Sequence, residues 1–307
     1  MSESRRGLVL RGTGGVWHIE SELGETLEVS LAGRLKREAG ARLAVGDAVR
    51  IERDARDRAW AIVEILPRRS ALIRRTPGGA YGERVVAANV DQVVVVFAAA
   101  EPEPHPRMLD RFLVIAAAND IPARVVVNKT DLADTEATRA RFAAYEAAGY
   151  PVHYTSVVRG EGLSALREML SQSVSTFTGP SGVGKSSLLN AMYPGLGLRV
   201  GEISRSVLKG RHTTVGAAMY PLSDGAYAMD TPGLREVGMW GIAPGTLDRC
   251  FPEFRGYVEE CRFADCRHRT EPGCAVRAAV ERGDVSRERY DSYIMLLHEL
   301  DRTERVW

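Results

Sequence analysis

Hydrophobic positions follow two rhythms along the chain. Over residues 1–70 they come in short runs, at 8–10, 15–19, 27–31, 47–51 and 60–65, parted by turn-forming residues and with no sustained helical period. Short runs at this spacing predict a small β-barrel. Thr76-Pro-Gly-Gly-Ala-Tyr-Gly82 reads as a linker or loop.

From residue 90 the rhythm changes. Residues 90–97, with the run Val93 to Phe97, predict a buried parallel strand. Further strands are predicted at 124–127, 152–154, 174–178 and 226–229, and helices at 107–118, 136–148, 163–171 and 185–192. Strands alternating with helices imply a parallel sheet covered on both faces. Past residue 245 short irregular pieces surround the cysteines, and helices follow at 275–282 and 286–302. The expected division is a barrel over 1–72, an α/β domain over 73–242 and a small C-terminal module over 243–307.

Composition narrows the class. Apolar residues make 45% of the chain and charged ones 26%, and no run of eighteen apolar residues occurs. A soluble protein without a membrane span is expected. The N-terminus offers only Leu8–Leu10 as an apolar stretch, too little for a secretory leader, so a cytoplasmic location is expected. Net charge is +1, but residues 1–75 hold 15 basic against 11 acidic residues, a tilt compatible with a phosphate-facing surface. Only four of the 41 basic residues are lysine: Lys36, Lys129, Lys185 and Lys209. A lysine kept against such an arginine bias suggests a need for a compact ammonium. Two of the four fall in motifs that bind nucleotide.

The first of these motifs is Gly179-Pro180-Ser181-Gly182-Val183-Gly184-Lys185-Ser186, followed by Ser187, which matches G-x-x-x-x-G-K-S in full. It sits between a predicted strand and a predicted helix, the context a phosphate-binding loop requires. Its glycines let main-chain amides approach phosphate, and the helix N-terminus adds partial positive charge. Lys185 would reach the β- and γ-phosphates and Ser186 would ligate Mg²⁺. The bland alternative is a glycine-rich turn.

The base is named by Asn128-Lys129-Thr130-Asp131, at the carboxyl end of the strand 124–127. In such a turn the aspartate accepts hydrogen bonds from guanine N1–H and N2–H₂, donors that adenine lacks there. Asn128 and Lys129 would brace the loop and the base. Thr155-Ser156-Val157 follows the next strand and is similar to the loop whose backbone meets the guanine oxygen. Asp230-Thr-Pro-Gly233 is similar to switch II, with Asp230 holding Mg²⁺ through water and the Gly233 amide sensing the γ-phosphate. Gly210-Arg-His212-Thr213-Thr214 is similar to switch I, where a threonine hydroxyl completes the Mg²⁺ shell; Thr214 is favoured over Thr213.

These motifs run in a rotated order. The base-reading turn precedes the phosphate loop, and the switches come last. A sheet domain whose termini lie close together tolerates that permutation. Switch II then leads through Leu234 to Trp240 almost directly into the C-terminal module, so a change at the γ-phosphate could move that module. Leu234 stands where a water-orienting glutamine is usual, and leucine cannot align water. His212 is the internal candidate for that role, with Lys185 and Thr214 as the other catalytic groups. A plain surface histidine is an equal reading.

All four cysteines lie in the last quarter. Cys261-x4-Cys266-x-His268-x5-Cys274 supplies three sulfurs and one imidazole, the donor set of a closed tetrahedral Zn²⁺ site. Free buried thiols are the alternative. Cys250 stands apart and reads as core. So small a module has little core, so one structural zinc would hold its fold. Arg262, Arg267, Arg269 and Arg277 surround the ligands and are candidates to face RNA phosphates, although residues 245–307 carry 11 basic and 13 acidic residues.

Taken together, the permuted order, the barrel-like start, Ala88-Asn-Val-Asp-Gln92, the phosphate loop, Gly210–Thr214, Asp230–Gly233 and the Cys/His spacing resemble the ribosome small-subunit-dependent GTPase family (RsgA, also called YjeQ). Phe263-x-Asp-Cys-x-His268 and Glu271-Pro-Gly-Cys274 belong to the shared pattern, which spans nearly the whole chain. The resemblance implies an α/β protein: a circularly permuted P-loop GTPase domain with an N-terminal OB-fold barrel and a C-terminal helical zinc-binding domain. It implies hydrolysis of GTP to GDP and phosphate, stimulated by the small (30S) ribosomal subunit during late maturation, with rRNA contacts from the OB and zinc domains. It carries zinc ligation onto Cys261, Cys266, His268 and Cys274, fits the hydrophobic Leu234, and carries a proposed catalytic histidine onto His212. A monomer, with other assembly factors as further partners, is the expected state. Many members continue with a third threonine where this chain has Val215, which leaves the choice between Thr213 and Thr214 open. Arg5, Arg6, Arg11, Arg34, Lys36, Arg37 and Trp60 are compatible with an RNA-binding barrel face.

Two other readings stand beside this one. An RNA- or protein-binding module could use nucleotide as a structural ligand with negligible turnover. An ATPase is a third, which the Asn128–Asp131 turn argues against.

Overall fold

The computed structural model describes residues 3–38, 43–53, 59–75, 83–198, 217–223, 225–230 and 242–304. Five strands near the N-terminus, β1 (Ser4–Thr13), β2 (Val16–Ser21), β3 (Thr26–Leu31), β4 (Ala48–Arg53) and β5 (Trp60–Ile65), close into a barrel in the order β1-β2-β3-β5-β4. Neighbours run antiparallel except β3 and β5. Alternation sends Val9, Ile19, Val29, Val49, Ile51 and Ile62 into a shared core, and closure removes the exposed edges a small sheet would otherwise have. A six-residue helix, α1 (Gly33–Glu38), follows β3 and was not expected from the sequence.

Next come β6 (Ala71–Arg75) and β7 (Glu83–Ala88), an antiparallel pair. The sequence reading saw only the linker between them, and Thr76–Gly82 lies outside the described residues. Their pairing is built on Leu72 and Ala87, both buried, which is too little apolar content to announce two strands.

Six further strands form one sheet in the order β10-β9-β8-β11-β13-β12. They are β8 (Gln92–Ala98), β9 (Ala123–Asn128), β10 (Val152–Tyr154), β11 (Val174–Thr178), β12 (Ala218–Pro221) and β13 (Tyr227–Asp230). β9 and β10 are parallel, as are β11 and β13, while β12 adds an antiparallel edge. Helices α2 (Pro106–Ala118), α3 (Thr135–Ala147), α4 (Leu163–Leu170) and α5 (Lys185–Met192) alternate with the strands. Every residue of β8 and β11 is buried, as a doubly covered sheet demands.

The chain divides into two compact units: Met1–Val93 with Ala165–Thr178 and Lys185–Val237, and Val94–Ser164 with Gly179–Gly184 and Gly238–Trp307. In the first unit the barrel is tied to the strands beyond it. Asn89 donates to the Gly46 carbonyl at 2.8 Å, Arg68 forks onto buried Asp47 at 2.6 and 2.8 Å, and the Tyr227 hydroxyl reaches Glu20 at 2.7 Å. Gln92 donates to Ser173 and Ser175, both at 3.0 Å.

In the second unit the C-terminal pieces pack on α2. They are a 3₁₀ turn (Pro244–Cys250), a second one (Pro252–Phe254), and α6 (Arg255–Val258), α7 (Ala275–Arg282) and α8 (Arg287–Glu304). Leu247, Phe251, Phe254, Val276, Tyr293 and Leu297 share a core with Val114 of α2. Through that core runs Arg289, 2% exposed, which pairs with Asp110 and donates to Glu253 at 2.7 and 3.2 Å. Its guanidinium lies over the rings of Phe251, Tyr145 and Tyr150 at 4.7, 5.2 and 5.7 Å. No helix among the described residues is long and apolar enough to cross a membrane.

Candidate functional site

β11 is buried along its length and delivers the loop 179–184 at its carboxyl end. Gly179 takes φ +132°, and a Cβ there would collide with the Val96 carbonyl. Gly184 takes φ +94°, and a Cβ there would collide with the Asn128 side chain. Both conformation and space therefore demand glycine. Within this loop Ser181 and Gly182 are exposed, Pro180 and Gly184 are half-buried, and Val183 is buried.

The turn after β9 is fastened to this loop. Asn128, itself buried, donates Nδ2 to the Val183 carbonyl at 2.9 Å and accepts at Oδ1 from Thr155 Oγ1 at 3.2 Å. Lys129 adopts the left-handed conformation (φ 60°), and its ammonium donates to the Glu101 carbonyl. Thr130 bonds the Thr155 carbonyl through its hydroxyl at 3.2 Å. Half-buried Asp131 accepts at Oδ1 from Ser156 Oγ at 2.5 Å. The structure thus brings together Asn128, Lys129, Thr130, Asp131, Ser156 and the loop 179–184.

Two of these contacts had no signal in the sequence. The backbone of residues 155–157 is the part similar to a guanine-meeting loop, and the Ser156 side-chain contact is additional to it. Within the loop the Ser156 amide donates to the Glu161 carbonyl at 3.1 Å and the Thr155 amide to the Val127 carbonyl at 2.8 Å. The Glu101 carbonyl is a main-chain group, which no residue type could have announced.

In the first unit, Lys185 and Ser186 open α5 and are each 3% exposed, Ser187 is half-buried, and Asp230 at the end of β13 is 7% exposed. Burying an ammonium and a carboxylate this deeply demands compensating charge or hydrogen bonds. The α5 N-terminus adds amides and a partial positive charge beside Lys185 and Ser186. Those residues have the donor and acceptor types that a phosphate–Mg²⁺ group requires. His212, Thr213, Thr214, Gly233 and Leu234 lie outside the described residues.

The second cluster lies in the second unit. One ligand atom from each of Cys261, Cys266, His268 and Cys274 falls within 4.8 Å of every other. His268 Nδ1 is 3.6 Å from Cys261 Sγ and 3.4 Å from Cys274 Sγ. Zn–S and Zn–N bonds of about 2.3 and 2.05 Å at tetrahedral angles place N and S about 3.6 Å apart, so the spacing fits zinc. Burial, with the neighbouring sulfurs, pushes the Cys266 thiol up to about 12, and burial pushes the Cys274 thiol upward. A dication is what would hold these two sulfurs as thiolates.

The ligand loop is braced from outside. Glu271 accepts the amides of Arg267, Arg269 and Thr270 at 3.1, 2.7 and 3.0 Å. Tyr290 and Tyr293 donate to the carbonyls of His268 and Arg267 at 2.7 and 3.1 Å. Cys250 sits in the apolar core, its thiol pushed up to about 11 by burial. Two of the arginines read as RNA-facing are engaged inside the module: Arg267 donates to Asp301 at 2.9 Å, and Arg269 pairs with the same carboxylate. In the barrel, Arg5 is similarly committed, to Glu3 and to Glu25 at 2.6 Å, and lies 4.9 Å over the Trp60 ring.

A phosphate loop that follows the Asn128–Asp131 turn in chain order, behind a closed barrel and ahead of a helical Cys₃His module, defines a circularly permuted GTPase. A profile of the RsgA GTPase family matches residues 65–240. A protein of Gemmatimonas aurantiaca named small ribosomal subunit biogenesis GTPase RsgA is 60% identical over 303 residues, covering 98% of this chain and 99% of the relative. One of the same name from Chlorobaculum tepidum is 39% identical over 98% of this chain and 99% of its own length. The crystal structure of YjeQ from Thermotoga maritima superposes with a TM-score of 0.80 at 34% identity, covering 97% of this chain and 99% of that one. YloQ, described as a circularly permuted GTPase, gives 0.76 at 29% identity, covering 98% and 96%. The chain belongs to the RsgA GTPase family and is a GTPase.

Proposed function

We propose that this GTPase binds the small (30S) ribosomal subunit and hydrolyses GTP to GDP and phosphate late in that subunit's maturation. The observation that carries the reading is the full-length likeness to relatives named for small ribosomal subunit biogenesis. The barrel (1–72) and the zinc module (243–307) would contact rRNA, and residues 73–242 would form the GTPase domain.

Within that reading, Asp131 accepts the guanine N1–H and N2–H₂, its carboxylate oriented by Ser156. The hydrogen bond from Asn128 to Val183 supports coupling between base reading and phosphate grip. Main-chain amides of the loop, those of Gly179 and of 181–187, would meet the phosphates, and Lys185 would offset their charge. Ser186, Asp230 and Thr213 or Thr214 would hold Mg²⁺, which neutralises charge developing on the β- and γ-oxygens. Gly233 would sense the γ-phosphate. With Leu234 unable to orient water, His212 is assigned that task. Cys261, Cys266, His268 and Cys274 would hold one structural Zn²⁺.

The test is GTP hydrolysis by the purified chain with and without 30S subunits. Acceleration by subunits is expected, and its loss in His212→Ala. A rate indifferent to subunits would remove the ribosomal partner, and a rate near zero in both arms would favour nucleotide as a structural ligand.

A further inference from the structure

The zinc module contains a carboxylate that neither the ligand spacing nor the nucleotide motifs point to. Asp248 Oδ2 lies 3.5 Å from Nε2 of His268, and the imidazole is fully buried. Nε2 has no hydrogen-bond partner within stricter limits among the described residues. The other ring nitrogen, Nδ1, faces the sulfurs of Cys261 and Cys274. We infer that Asp248 is the positioning residue of the metal site: it accepts the Nε2–H of His268 and so holds the tautomer that offers Nδ1 to the metal. The inference rests on the reading of the four residues as a zinc site.

The argument is one of proton accounting. A neutral imidazole carries one N–H, and a metal on Nδ1 requires that proton on Nε2. A buried N–H without an acceptor is costly, and the nearest carboxylate is that of Asp248. The present separation is at the long limit for a hydrogen bond. Metal on Nδ1 makes the Nε2–H a stronger donor, which favours closing it. A carboxylate partner in turn makes the imidazole a better ligand and fixes its ring plane.

The location adds a consequence. Asp248 belongs to the 3₁₀ turn Pro244–Cys250, whose Leu247 packs in the same core as Val114 of α2. That turn is where the chain enters the module after Asp230–Gly233. The Asp248–His268 contact therefore ties the metal loop to the turn that opens the C-terminal module.

The experiment uses the full chain with ¹⁵N-labelled histidine. Elemental analysis comes first, and a chain purified without zinc would overturn the zinc reading itself. In the zinc-loaded chain, long-range ¹H–¹⁵N spectra should show His268 with a metal-bound Nδ1 and a protonated Nε2. A metal-bound Nε2 would overturn the role given to Asp248 while leaving the zinc site standing. Asp248→Ala should release zinc to a chromogenic chelator with an affinity lower by roughly tenfold to a hundredfold. Asp248→Asn, which keeps an acceptor oxygen, should fall between. Unchanged zinc retention in folded Asp248→Ala would also sink the inference, and the tautomer measurement decides it should that variant fail to fold.

Discussion

The side-chain amide of Asn128 donates to the main-chain carbonyl of Val183 at 2.9 Å, although the two residues stand 55 apart in sequence. The turn proposed to read the base is thereby fastened to the loop proposed to grip phosphate. Removing the amide leaves a buried carbonyl unpaired, at about 1–3 kcal/mol. Asn128→Ala should weaken GDP and GTP alike, by roughly tenfold to a hundredfold. Fluorescence titration with a labelled nucleotide measures this. A loss confined to GTP would mean that the contact matters only to the γ-phosphate.

Asp131 and Ser156 form the next link. The carboxylate can accept from two guanine donors only if its oxygens are aimed, and Ser156 Oγ holds one of them at 2.5 Å. Asp131→Asn presents a donor where guanine presents donors, while xanthine offers a carbonyl there. GTP affinity should fall by roughly a thousandfold and XTP affinity should rise. Ser156→Ala, which removes one hydrogen bond to a carboxylate, should cost about 1.5–3 kcal/mol, roughly tenfold to a hundredfold, with no change in base preference. Competition titrations with GTP, XTP and ATP separate these outcomes.

What was legible beforehand follows from how each feature is encoded. β8, β9 and β11 announce themselves because burial on both faces forces continuous apolar runs, and the glycines of 179–184 because the backbone there has no alternative. β6, β7, α1 and β12 are short and held by their neighbours, so their own residues say little. Cys250 was separable from the Cys261–Cys274 cluster by distance along the chain alone. Arg289 was not legible: one arginine in an amphipathic helix looks like surface, and only the folded chain shows Asp110 and Glu253 around it. Asp248 was hidden for the same reason, since its partner lies 20 residues on.

His153 on β10 predicts a pH effect. Burial, then the nearby Arg124 guanidinium, lowers its pKa below the usual histidine value. A base depressed in the folded state binds its proton more readily once unfolded. Its contribution is harmless above the unfolded value near 6.5, grows more destabilising as pH falls below that value, and levels off once pH is below the folded one. Urea midpoints of the native chain should therefore decline between pH 7.5 and pH 5, and His153→Phe should show a shallower decline. Parallel slopes for the two chains would exclude this histidine as a cause.

Cys250 and Cys261 differ in chemistry although both are thiols. The first packs among Leu247, Phe251 and Phe254, and the second lies within reach of His268. Zinc content should stay at one per chain in Cys250→Ala and fall in Cys261→Ala. Chelation should also lower the melting temperature of the Cys250→Ala chain, because a metal bound at the four residues would contribute folding energy to the module.

Arg289 carries the strongest stability prediction. Burial alone would lower the guanidinium, but the Asp110 and Glu253 carboxylates outweigh it and hold the group above its usual value. Burial meanwhile pushes the Asp110 carboxyl up against the pull of Arg289. Arg289→Met leaves two buried carboxylates without a counter-charge, a loss of about 3–5 kcal/mol. The loss should depend on pH in a stated direction. Without Arg289 the folded pKa of Asp110 rises further, so the folded state takes up a proton that the unfolded chain releases. The destabilisation is then full at neutral pH and is relieved as pH falls through the raised value toward the unfolded one near 3.8. Combining Arg289→Met with Asp110→Leu and Glu253→Gln removes the stranded charges and should restore most of the stability. Urea unfolding followed by circular dichroism at two pH values distinguishes the cases. A single variant within about 1 kcal/mol of the native chain would show that this cluster is not what holds the C-terminal module to α2.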